Sequence, residues 1–240
     1  MEAMVPELPD QHSDSFLSYV TGMFNFLIDP KAAARYVHSK WFWVAPVILM
    51  SIIGLAAGII MQPIVRHVLE VTPPPPNANP EQYQRSMAIG IKIAQFGAYL
   101  APVGVIVTVA IDALVLFATC SVMSVKASFR ALFNLAAGTA LITTLASLAS
   151  VAVLMGKGEV STQAELRPPL GLDIFMPETA NKYLVAFLGY FSIFELWWIV
   201  MTVLVISAAF KVDKAKAVMI VTPLVLLGLL ARLGGAIFQR

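Results

Sequence analysis

Charge is scarce in this 240-residue chain: Asp, Glu, Lys and Arg make up 12% of it, against about 25% in soluble domains. Histidine occurs three times (His12, His38, His67) and cysteine once (Cys120). Each scarcity excludes something. A net charge of +2 spread over scattered basic residues offers no face for nucleic acid. A lone cysteine in an apolar run forms no intrachain disulfide and leaves the redox compartment unread. There is no His-Glu-x-x-His, no Gly-x-Ser-x-Gly, no phosphate loop and no Cys-x-x-Cys, so no enzyme, metal or cofactor is indicated. His38 and His67 flank the first apolar run on opposite sides and cannot share a metal. Each reads as a solvated interfacial residue. Residues 1–30 carry five acids, no Lys or Arg and no opening apolar core. No cleavable signal peptide is therefore expected, and the first span must direct its own insertion.

What the chain has instead is apolar length. Apolar residues reach 59%, above the roughly 45 to 50% of soluble domains and more than one soluble core of this size would hold. Five runs, at about 41–61, 94–122, 131–155, 183–210 and 217–238, are long enough to cross a hydrocarbon layer of roughly 30 Å at about 1.5 Å per residue. The fold class expected is all-α, a polytopic bundle of five transmembrane helices filling residues 41–240. Ahead of it, residues 1–12 read as a disordered tail and 13–40 as amphipathic and juxtamembrane helices. Phe16, Val20, Met23, Phe24 and Leu27 recur at helical spacing, with Ser18, Thr21, Gly22 and Asn25 on the other face. Ser13 or Ser15 can cap this helix and Pro30 ends it, too short to span. Lacking a Lys/Arg-rich face, it is expected to pack on the protein more than to anchor in lipid.

Between the spans, Pro73 to Pro76 impose an extended segment, and Asn79-Pro80 starts a polar helix that leads straight into the second span. Gly54 and Gly58 share a face of the first span, and Ala136, Ala140 and Thr144 form a four-step row on the third, as small residues do where helices pack closely. Basic residues crowd the short connections (Lys126, Arg130; Lys211, Lys214, Lys216) and the segment before the first span (Lys31, Arg35, Lys40). This places the N-terminus in the cytoplasm and the C-terminus outside.

Three ionisable residues lie within spans: Asp112, Glu195 and Arg232. By helical rise Glu195 lies roughly 18 Å from the outer surface, Asp112 roughly 24 Å or more, and Arg232 about 8 to 10 Å. They form a candidate intramembrane polar site for an ion, proton or lipid headgroup. The structural alternative is a Glu195–Arg232 pair, with Asp112 neutral and hydrogen-bonded to Thr108 one turn earlier.

Asp173-Ile-Phe-Met176, the run from Tyr190 through Phe194-Glu195 to Trp197, Val212-Asp-Lys-Ala-Lys-Ala-Val218 and Thr222-Pro-Leu224 resemble the C-terminal half of the Yip1 family. At the front, Phe24-x-Phe26 ahead of Pro30 and Ser128-Phe-Arg-Ala-Leu132 are similar to it too, whereas Glu195 stands where a typical member has a neutral residue. The resemblance implies five helices and a cytosolic N-terminus. Eukaryotic members are trafficking factors of the early secretory pathway that bind small GTPases and carry long cytosolic N-terminal tails; with the first span starting near residue 41, the resemblance is to a bacterial inner-membrane member. Two functions follow as expectations. One is a non-enzymatic scaffold or accessory subunit, in contact with the lipid bilayer and with another membrane protein, such as an exporter subunit, or with a second copy of itself. The other is a transporter or lipid-translocating protein using Asp112, Glu195 and Arg232. A pathway predicts an internal, water-lined pocket reaching both carboxylates, and a scaffold predicts a closed bundle with no cavity and an exposed small-residue face.

Overall fold

A computed structural model describes residues 16–72, 79–158, 160–162, 165–166, 170–177 and 180–237. The expected tail, the Ser13 or Ser15 cap and Pro73 to Pro76 lie outside the described residues. Among the described residues the secondary structure is helical, with one isolated antiparallel bridge between Gly171 and Ser192. The chain is an integral membrane protein, for five helices are long and apolar enough to cross a bilayer: α3 (Val44–Val71), α5 (Ala101–Val122), α6 (Phe129–Gly156), α8 (Ile193–Phe210) and α9 (Lys214–Ile237). The others are α1 (Phe16–Ile28), α2 (Pro30–Val37), α4 (Pro80–Tyr99) and α7 (Lys182–Tyr190).

Three expected spans have different ends in the structure. The first does not stop at residue 61: α3 runs through Pro63 to Val71, because a helix can pass a proline by giving up one backbone bond. The second is not continuous with the polar helix before it. Although Asn79 caps α4 by accepting from the Glu81 and Gln82 amides, the helix breaks at Leu100 and restarts at Ala101, with Pro102 in the new first turn. The fourth span, expected as one helix over 183–210, breaks at Phe191-Ser192 into α7 and α8.

α6 is the central helix, packed against α3, α5 and α8 and also touching α1 and α2. Its first half is buried on nearly every side, from Ala131 to Ile142. Gly58 sits against Ala98, where an added Cβ would lie 2.8 Å from the alanine Cβ, and Gly54 faces Ala101. This small-residue face therefore packs α3 on the α4–α5 junction within the chain and is not offered to a partner. On α6, Ala136 and Ala140 are buried, and the Thr144 hydroxyl donates to the Ala140 carbonyl (3.0 Å). The outward sides of the long helices carry exposed aliphatic residues such as Ile52, Ile106, Leu114, Val200 and Leu226, the surface lipid would cover.

α1 and α2 form a hairpin folded onto the bundle. α1 runs inward: Tyr19 accepts from the Ser39 hydroxyl near the start of α3, the Phe26 ring lies on Gly138 of α6, and the Leu27 carbonyl accepts from the Trp197 indole (2.9 Å). α2 then returns, capped by the Asp29 carboxylate on the Lys31 and Ala32 amides. The buried face of α1 is Tyr19, Gly22, Met23 and Phe26, whereas Leu17, Phe24 and Ile28 are exposed. The periodicity argument put Phe24 on the inner face and Gly22 on the outer one. The reverse holds because Gly22 admits the Tyr36 ring of α2, which would lie 2.9 Å from a Cβ there. His38 is also no merely solvated residue, since its Nε2 meets the Ala209 carbonyl at the end of α8 (3.2 Å).

Candidate functional site

The break in the fourth span begins with a local sequence signal. In Ser192-Ile-Phe-Glu195 the serine is extended (φ −78°, ψ 161°) and its Oγ accepts from the Glu195 amide (3.1 Å). A serine followed three residues later by glutamate is a helix-start signature, and reading it would have placed a helix N-terminus inside the apolar run. The break exposes backbone groups at membrane depth, which is tolerated only where protein or a wet cavity receives them. Here protein receives one side: Gly171 bridges Ser192, and Gly171 lies so close to Gly189 that an added Cβ would sit 2.9 Å from the Gly189 carbonyl.

The other side is a pocket of about 320 Å³. α6 contributes Thr143, Ser147 and Ser150, the break contributes Gly189, Tyr190, Ser192 and Glu195, and α9 contributes Arg232, with Leu166 and Leu170 from the preceding loop. Glycines make the space. Arg232 Nη2 and Asp173 Oδ2 lie 2.5 and 2.6 Å from where a Gly189 Cβ would stand, so alanine there would have to displace both. Gly228 of α9 accommodates the Tyr190 hydroxyl, which donates to the Val225 carbonyl (2.9 Å) and also lies in hydrogen-bonding reach of Glu195. One hydroxyl proton serves two acceptors, so Tyr190 ties the short helix to α9 while keeping a polar atom against the carboxylate.

Of the three charges read from the sequence, Glu195 and Arg232 line this pocket and interact electrostatically. Asp112 does not line it, yet lies in electrostatic reach of Glu195. Among the described residues no hydrogen bond joins Asp112 to Thr108, so the expected local partner is not used. Tyr190, Asp173, Gly189 and Gly228 were missed. Tyrosine and glycine carry no motif here, and only the folded packing gives them a role.

A match to the Yip1 domain family model covers residues 24–233. The chain belongs to the Yip1 family. No curated protein and no solved structure matches it. The Yip1 match starts in α1 and ends one residue beyond Arg232, so the end of α1, all of α2 and the pocket lie within the Yip1 domain.

The loop leading to Leu166 is held by an acid that stays charged. Glu165 accepts from the Ser161 amide (2.9 Å), from Lys157 Nζ (3.2 Å) and from the Thr162 amide (3.1 Å). These bonds, the Ser161 amide first, lower its pKa from 4.5 to about 2. Because the folded value is depressed, the stabilisation is present above about pH 4.5 and fades as pH falls toward 2. Carbon-detected NMR of the side-chain carboxyl should give a midpoint near 2, and Lys157→Met should move it upward. A wild-type midpoint at 4.5 would show that the loop is not closed this way.

Loss of the Ser192 cap is expected to be moderate. Ser192→Ala should lower stability by about 1 kcal/mol, and Ser192→Gly by a few tenths only, read from denaturant titration in detergent. Equal losses for both would point to a contact other than the cap.

Proposed function

We propose that this Yip1-family protein is a non-enzymatic scaffold or accessory subunit of a bacterial inner-membrane complex, with its N-terminus cytoplasmic and its C-terminus outside. The observation that carries the reading is the packing at the end where the short basic loops lie. Phe26, Phe42, Leu132, Leu135, Ile206 and Ile220, from four different helices and the α2–α3 linker, are all fully buried there. A solute crossing the bilayer through this chain would have to part that layer, and close-packed apolar cores resist such opening. The folded-back hairpin adds a surface on the same side, with Leu17, Phe24 and Ile28 exposed along α1 and Lys31 and Arg35 on α2. That surface suits the rim of a neighbouring membrane protein, an exporter subunit by the family resemblance.

The test has two parts. Gentle detergent extraction of the full chain should recover one membrane partner in fixed stoichiometry, and the chain reconstituted alone should leave liposomes impermeable. Recovery of the chain by itself, together with solute or lipid movement in the liposomes, would overturn the reading. One observation favours the second reading, transport: the interrupted α7–α8 span bordering a polar pocket, an arrangement used by transporters at their binding sites. In that case Asp112→Asn combined with Glu195→Gln abolishes flux. Unchanged flux in a normally inserted double variant eliminates it. Cysteine labelling of residue 1 and residue 240 on opposite faces checks the orientation.

A further inference from the structure

We propose that the pocket between α6, the α7–α8 break and α9 binds a small zwitterion, its ammonium held at Glu195 and the α6 hydroxyls, its phosphate or carboxylate at Arg232. The division follows from the atoms each wall offers. Thr143, Ser147 and Ser150 donate their hydroxyl protons to the Ala140, Thr143 and Ala146 carbonyls of their own helix (2.8, 3.1 and 3.0 Å). What they can offer a ligand is lone pairs. The Glu195 carboxylate is an acceptor as well, and the one Tyr190 proton is already taken up by the Val225 carbonyl and Glu195. An ammonium group, with three donors and no acceptor, complements that set. Asp112 lies in electrostatic reach of Glu195 but does not line the pocket.

Arg232 supplies the opposite chemistry: it already has partners in the fold, Glu195 electrostatically among them, yet a planar guanidinium has five N–H donors and can take a carboxylate or phosphate as well. Groups of both signs in one pocket penalise a ligand of one sign: a lone anion meets Glu195 and a lone cation meets Arg232. The volume of about 320 Å³ is at the small end of ligand sites, a headgroup or amino-acid size and not that of a whole lipid. By helical rise Glu195 lies about 22 Å from the basic end of α8 and Arg232 about 27 Å from the basic end of α9, so in a hydrocarbon layer of roughly 30 Å Arg232 reaches the far leaflet's headgroup edge and Glu195 sits about 8 Å inside it. The same ammonium and phosphate could therefore come from an ethanolamine lipid headgroup or from a free zwitterion in water. The inference holds for a scaffold or a transporter alike, and so goes beyond the function proposed above.

The experiment uses the full chain in phosphatidylglycerol nanodiscs, which carry no ammonium, titrated calorimetrically with O-phosphoethanolamine and with glycerol 3-phosphate. Phosphoethanolamine should bind at least tenfold more tightly, Glu195→Gln should erase that preference, and Arg232→Gln should weaken binding at least tenfold. The comparison of the two probes on the unaltered protein needs no variant to fold. Raising the phosphatidylethanolamine content of the discs distinguishes the sources: competition with the soluble probe assigns the site to a lipid headgroup, and its absence assigns it to a free solute. Equal affinity for the two probes, no binding of phosphoethanolamine, or an indifferent, folded Glu195→Gln protein would overturn the proposal.

Discussion

Asn134→Ala should be the most damaging single substitution in the described part of the chain, lowering unfolding free energy by about 3 to 4 kcal/mol, at one to three kcal/mol per stranded buried group. Asn134 lies fully buried in the second turn of α6, in apolar surroundings. Its amide nitrogen donates to the Val37 carbonyl (3.0 Å) and the Ser39 carbonyl (2.7 Å), and its oxygen accepts from the Trp43 amide (3.0 Å). One side chain thus satisfies three backbone groups of the segment joining α2 to α3, where no helix can satisfy them. Alanine strands all three. Asn134→Asp should be nearly as harmful, since a carboxylate can still receive the Trp43 amide but offers the two carbonyls nothing. Reversible SDS titration measures the loss. A cost within 1 kcal/mol for both variants would mean that water, not Asn134, serves this linker.

Gly138→Ala comes next, at about 2 to 3 kcal/mol, the cost of forcing one extra carbon into a filled core. A Cβ at Gly138 would stand 2.5 to 2.6 Å from three atoms of the Phe26 ring. The ring has little room to yield, because it is fully buried and stacked on Phe42 at a centroid distance of 5.0 Å. The hairpin would have to lift from α6, straining the Trp197 bond to the Leu27 carbonyl. Phe26→Leu should itself destabilise the protein yet make Gly138→Ala much less costly, a coupling that thermal unfolding of the two singles and the double can read. Additive losses would show that the two residues do not meet.

Both residues show what a linear reading misses. The helical runs were legible because crossing a bilayer is a demand on composition and length, and each run meets it alone. Their interruptions were less so. Ser192-x-x-Glu195 carries a local start signal, but twenty-eight consecutive positions that read as one span concealed it. Pro63 and Pro102 show the converse: of two prolines near helix ends, one is passed within α3 and the other sits in the first turn of α5, and the tetrapeptides around them do not say which. Gly54 and Gly58 were recognisable as a close-packing face, but their partner, the α4–α5 junction, was not. At the candidate site Glu195 and Arg232 stood out as charges in apolar runs, while Tyr190, Gly189, Gly228 and Asp173 did not.

Composition and periodicity alone decided that the chain lives in a bilayer, that it carries five runs long and apolar enough to cross it, and where the costly charges fall, because transfer from water to hydrocarbon is nearly additive along the chain. Folding in three dimensions decided which charges meet, which face of α1 is covered, and that a broken helix opens a polar pocket between α6 and α9. Those outcomes depend on hydrogen bonds and contacts between different elements, such as Tyr190 with Val225 or Trp197 with Leu27, and no local pattern records them.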